Sequence, residues 1–271
     1  MLEQLVVDLR SADAGVRFYA AQKLGALNDD RAADALITAL SDAHAKVQYA
    51  ALSSLIKLGA FRALQPVLDM LLDDLHSRVW ELLKLSIGTR LRAGLIDMVQ
   101  RDDLAVSDRL HDALTAHPLD EHQKALFLRM IGRTGDSRRL DGLVLLIDGD
   151  AAEVPHAVQA AAAEALGMLG DREAVSSLIA AAGSPNDAVR ETTVEALGRL
   201  GDALAFETVL AALTDENEWV RRASAEALGM IGDARALDAL TVALSDESGM
   251  VQDAAFDAIK KLSGSHFTAL L

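Results

Sequence analysis

The chain has 271 residues, of which 51% are hydrophobic but only 4% aromatic, a balance of Ala and Leu that favours helix over strand. Its 41 acidic and 26 basic residues give a formal charge of −15, a field that repels phosphate backbones and anionic membranes, so nucleic acid and membrane surfaces are not expected partners. The absence of cysteine excludes disulfides and thiolate chemistry, and only four prolines, each costing a helix interior about 3 kcal/mol, interrupt the helical reading.

The chain opens with MLEQLVVDLR, which lacks the basic-then-apolar build of a secretory signal. No apolar run approaches the ~20 residues that span a bilayer, so a soluble, cytoplasmic protein is the expectation. Leu5 and Leu9 place a first helix here. VRFYAAQKLGALND follows from residue 16 and VQYAALSSLIKLGA from residue 47, 31 residues later. From Val79 to His122 this frame is lost, although WELLKLSIG, RLRAGLIDMVQ and LAVSDRLHDAL keep a helical pattern, and an extra helix is expected there. A unit resumes near Gln123. After a longer loop marked by Gly149 and Pro155, VQAAAAEALGMLGD, VRETTVEALGRLGD, VRRASAEALGMIGD and VQDAAFDAIKKLSG begin at 158, 189, 220 and 251, each 31 after the last.

In this register the first column is Val16, Val47, Val158, Val189, Val220, Val251, and the ninth is Leu24, Leu55, Leu166, Leu197, Leu228, Ile259. Both are expected in the core, as is the twelfth, from Leu27 to Leu262. Gly59, Gly170, Gly201 and Gly232 stand where a helix ends in a left-handed residue, and Asp171, Asp202 and Asp233 follow as acceptors for the next helix start. The next helix repeats Leu36, Val67, Leu178, Val209, Leu240. One such pair cannot bury its apolar face alone, so neighbouring pairs must stack.

The unit from Asp215 to Asp233, with its Val-Arg start and Ala-Leu-Gly centre, resembles the HEAT-repeat family, and within it the HEAT-like repeats named after phycobilin lyases. The resemblance implies an all-α, right-handed α-solenoid of about eight stacked antiparallel helix pairs, irregular in the middle. It would comprise N-terminal HEAT-like repeats at 1–78, an irregular helical segment at 79–122, and C-terminal repeats with a tail at 123–271, all in one continuous solenoid. It also implies that helices beginning at Val-Arg line a concave face. Asp215 with Arg221, or Asp187 with Arg190, would form a structural ladder between repeats.

The third and seventh positions lie opposite the core columns and should be exposed. The seventh reads Glu164, Glu195, Glu226, Asp257, which is either a docking stripe for Lys and Arg side chains or a run of good helix formers. Phe18, Tyr49 and Trp80 are also 31 apart, and either mark a partner surface or pack between repeats.

Deoxyhypusine hydroxylases bind iron through His-Glu pairs in such repeats. The matching pairs here are Phe18-Tyr19, Tyr49-Ala50, Glu191-Thr192 and Arg222-Ala223, which cannot ligate a metal. His44, His76, His111, His117, His122, His156 and His266 lack ligand spacing, and His111, His117 and His122 with Asp112 read best as a solvated loop. HEAT-like DNA glycosylases need a basic concave face, which the charge excludes. The expected function is a non-enzymatic scaffold or adaptor, without cofactor or metal, gripping a protein partner that is basic or offers an apolar anchor. The alternative implied by the resemblance is a phycobilin lyase-like subunit or chaperone that stacks a bilin on Phe18, Tyr49 and Trp80.

Overall fold

The computed structural model describes residues 1–75, 77–84, 89–149 and 153–263, which fall into two compact units, Met1–Leu119 and Asp120–Leu271. The first unit runs α1 (Leu2–Asp8), α2 (Ala14–Ala26), α3 (Ala33–Ala39), α4 (Ala45–Lys57), α5 (Leu64–Asp73), α6 (Arg78–Lys84), α7 (Thr89–Met98), α8 (Leu104–Ala116). The second runs α9 (Glu121–Thr134), α10 (Leu140–Asp148), α11 (His156–Leu169), α12 (Val175–Ala181), α13 (Asp187–Leu200), α14 (Phe206–Ala211), α15 (Glu218–Ile231), α16 (Leu237–Ala243), α17 (Gly249–Ser263). The described residues hold no strand, and none of their helices is long and apolar enough to cross a membrane. The architecture is an all-α solenoid in which short helices alternate with long ones from α1 to α4 and from α9 to α17.

Gly170, Gly201 and Gly232 end α11, α13 and α15 in the left-handed conformation, at φ +82°, +59° and +81°. A side chain at such a φ meets the following carbonyl, which is why glycine recurs there. Asp171, Asp202 and Asp233 then accept the backbone N–H groups of Glu173, Leu204 and Arg235, opening a single 3-10 turn that leads into the next short helix. The expected punctuation is therefore present, and the same device recurs at Gly135-Asp136.

The ninth column is buried in both units, as is the short-helix column Leu36, Val67, Leu178, Val209, Leu240. Val16 departs from its column: it is 41% exposed, whereas Val47, Val158, Val189, Val220 and Val251 are buried. Each of those later helices has a long helix packed before it, and α2 has only the seven-residue α1.

In the second unit α9, α11, α13, α15 and α17 pack side by side, each directly on the next. Small residues set the spacing. A Cβ placed on Gly198 of α13 would lie 2.7 Å from Ala227 Cα of α15, and one on Gly167 2.8 Å from Ala196 Cα, so no side chain fits at either point. Gly132 against Ala165 and Gly229 against Ala258 repeat the contact, so one glycine-on-alanine junction joins each pair of neighbouring long helices.

A second device links the repeats at their edge. Arg190 Nε and Nη2 each donate to Asp215 at 2.8 Å, while its Nη1 donates to the Ser184 carbonyl at 3.0 Å. Arg221 does the same with Asp246 and the Asp215 carbonyl, as does Arg17 with Asp42 and the Ser11 carbonyl in the first unit. The ladder therefore joins each Arg to the Asp 25 residues ahead, not Arg221 to the Asp215 carboxylate or Arg190 to that of Asp187. The carboxylate of Asp187 instead accepts from Asn217 Nδ2 at 2.7 Å.

Candidate functional site

The exposed face of the long helices in the second unit carries the seventh position of each repeat and, on α13, α15 and α17, the third as well; the third positions of α9 and α11, Ala125 and Ala160, are buried, which corrects the expectation that the whole column is exposed. Glu191 and Glu195 on α13 and Arg222 and Glu226 on α15 are partly exposed there, and Asp253 and Asp257 on α17 are fully so. The acidic column is not uniform. Glu164 pairs with Arg129 of α9 at 2.5 Å. Arg222 collects three carboxylates, Glu226 at 2.7 Å, Glu191 at 3.0 Å and Glu195 at 3.2 Å, and Arg199 stands 3.7 Å from Glu195. Burial pushes the Glu195 carboxyl above the usual range, against the pull of Arg199 and Arg222. Asp253 and Asp257 have no ion pair with any described residue, so the column is partly neutralised along α11, α13 and α15 and fully anionic on α17.

Arg129 escaped the sequence reading because the seventh column was followed only from residue 158, and Arg222, at a third position, was weighed there only as a metal ligand. Counting back from Gly135 in the same register puts Arg129 at the seventh position of α9, which was the available signal.

In the first unit Phe18 of α2 and Tyr49 of α4 are half-buried, and burial raises the Tyr49 hydroxyl above its ordinary value. Trp80 corrects the expectation: it is only 1% exposed, and its Nε1 donates to the Leu71 carbonyl at 2.9 Å. An indole that closes on the end of α5 belongs to the core, so a surface column of three rings does not form. Tyr19, one residue after Phe18, is exposed instead and has the Lys23 ammonium 5.1 Å from its ring centre.

Among the described residues no group of three or more His, Asp or Glu is placed to hold a metal, and His76 and His266 lie outside them. The arrangement can offer charged side chains at repeat spacing on a stiff frame.

The pattern that defines HEAT repeats matches residues 2–86, 150–210 and 175–260. No curated protein matches the chain in sequence. Among solved structures, human deoxyhypusine hydroxylase in complex with glycerol is similar at 21% identity, over 97% of this chain and 96% of that one, with a TM-score of 0.46. The complex of CpcE and CpcF of phycocyanin lyase from Nostoc sp. PCC7120 is similar at 21% identity, over 97% and 86%, with a TM-score of 0.45. An engineered protein is similar at 18% identity, over 97% and 78%, with a TM-score of 0.48.

Proposed function

Because the chain belongs to the HEAT-repeat family, we propose that it is a protein-binding scaffold that holds a basic segment of its partner, in the cytoplasm, against the exposed face of its long helices. One observation supports this above the rest: glycine-on-alanine junctions lock α11, α13, α15 and α17 side by side, and each of these helices turns a charged seventh position outward, joined on α13, α15 and α17 by a charged third position. A frame that does not need to be ordered on binding loses little conformational entropy to its partner.

Within this reading Asp257, with Asp253, attracts the partner, since neither carboxylate is committed to an internal pair. Glu164, Glu195 and Glu226 form the rest of the acidic row, with Arg129 and Arg222 fixing their side chains. Phe18 and Tyr49 provide a smaller apolar anchor in the first unit. Bilin stacking gains no support, since the third ring it needs, Trp80, is in the core.

The test is capture from a native lysate at low and high salt, comparing the wild type with an Asp253→Lys, Asp257→Lys variant. Both residues are exposed and pair with no described residue, so the substitutions leave the described ion pairs intact. Partners held by the wild type, released by salt and lost by the variant are the expected result. An identical partner list for both proteins would remove the acidic column from the account.

A further inference from the structure

At the edge of the second unit, where α15 and α17 begin, Glu216, Asn217, Glu218, Trp219, Glu247 and Ser248 line an open hollow of about 520 Å³. Trp219 is 46% exposed, whereas the chain's other tryptophan is in the core. An indole beside a carboxylate-lined hollow attracts an organic cation, and a flat one gains most because it can lie on the ring while it pairs with the carboxylates. We propose that this hollow is a binding site for an arginine side chain presented by a protein partner.

The local charge supports this. Among the described residues, the ion pairs of Asp215, Glu216, Asp246 and Glu247 are with Arg190 and Arg221, which pair with Asp215 and Asp246 at 2.8 Å and reach Glu216 and Glu247 at 3.6 and 3.2 Å, while the nearby Arg222 is held by Glu191, Glu195 and Glu226. With Glu218, which has no ion pair with any described residue, three negative charges remain in excess. The starts of α15 and α17 oppose a cation with about half a positive charge each, less than that excess. Their free N–H groups are partly met already, Trp219 N–H by Asn217 and Ser248 N–H by Asp246.

One turn along α15, the Arg222 guanidinium already lies 5.6 Å from the centre of this ring. Arg222 is itself committed to Glu191, Glu195 and Glu226, yet almost half of Trp219 still meets solvent. An incoming guanidinium would stack on that indole surface and pair with Glu216, Glu218 or Glu247. A compact hydrated metal ion would gain nothing from the ring, and an ammonium cannot lie flat or bond a carboxylate through two parallel N–H groups.

The site rests on the scaffold reading only in that a protein supplies the side chain, and it uses none of the residues in the acidic column. The test is titration of the full-length protein with a blocked peptide of alternating alanine and arginine, following the indole N–H resonances by NMR and measuring the affinity of the wild type and of every variant by calorimetry. Trp80, bonded to the Leu71 carbonyl, serves as the internal reference. Expected are a saturable shift of the Trp219 signal, none with the citrulline version, and weaker binding of the lysine version. Trp219→Ala should weaken binding about fivefold, and Trp219→Phe should recover most of the loss. Glu216→Gln, Glu218→Gln and Glu247→Gln together should abolish it. Circular dichroism of each variant checks that the fold is intact.

If Trp219→Ala bound as tightly as the wild type, attraction to the net charge would explain everything and the site would be overturned. Equal binding of the lysine and arginine peptides would overturn the choice of arginine. Asp253→Lys, Asp257→Lys should leave the peptide titration unchanged within twofold, so loss of the cellular partner in that variant and loss of this site are separate results.

Discussion

Gly198 and Gly142 are both helical glycines and should respond in opposite directions to the same change. A methyl group at Gly198 meets Ala227, whose Cα would be 2.7 Å away, so Gly198→Ala forces α13 and α15 apart and should cost about 2 kcal/mol. At Gly142 in α10 no atom lies within 4 Å of the added carbon, and Gly142→Ala should gain about 0.5–1 kcal/mol from helix propensity. Urea midpoints measured on the two variants and the wild type check both signs. The Ala-Leu-Gly triplet was plain in the sequence as a recurrence, but periodicity tells which positions repeat and not which atoms touch. The Gly198 contact is set by the rotation of one helix against its neighbour. The same holds for Arg221: its column was visible, but its partner Asp246 lies across a repeat junction. Asp246→Asn halves a bidentate pair that is mostly buried and should cost about 2 kcal/mol in the same assay.

For whole helices, sequence spacing placed most boundaries well because each carries its own chemistry, a left-handed glycine to stop and an Asp to restart. It served less well at α6. Trp80 shares the 31-residue spacing of Phe18 and Tyr49, yet its ring turns inward and its Nε1 closes on the last turn of α5. A shift of one residue along a helix turns a side chain by about 100°, enough to exchange a surface column for a core one. Trp80→Phe keeps most of the apolar volume and leaves the Leu71 carbonyl without this donor, and should cost about 1 kcal/mol by thermal unfolding. Fluorescence from Trp80 in the Trp219→Phe variant should be blue-shifted and poorly quenched by iodide, as befits a buried indole. A red, readily quenched emission would return the ring to the surface.

Across the whole molecule, the Arg–Asp ladder ties stability to pH. The hydrogen bond from Arg17 holds Asp42 below the usual carboxylate range, and that from Arg221 does so for Asp246. Burial works against the charge on Asp215, but Arg190 and the Asn217 N–H outweigh it and leave its value lowered as well. A carboxyl group whose folded value lies below its unfolded one adds stability that is complete above about pH 4 and is lost as pH falls through the folded value. The melting temperature should therefore hold from neutral pH to about 4 and drop below it, and less steeply in Asp246→Asn. Repeat architecture, helix order and punctuation were legible in the sequence because they rest on local chemistry. The charged face of the long helices was legible only as columns, because the pairing of Glu164 with Arg129 and of three carboxylates with Arg222 depends on how adjacent helices stack. The central claim is that the partner docks on the long helices and not on the short ones. A photo-crosslinking residue placed at Met230, exposed on α15, and separately at Val242, exposed on α16, tests it directly. A covalent partner adduct formed in cells from position 230 and absent from 242 is the expected result, and an adduct from 242 alone would contradict the account.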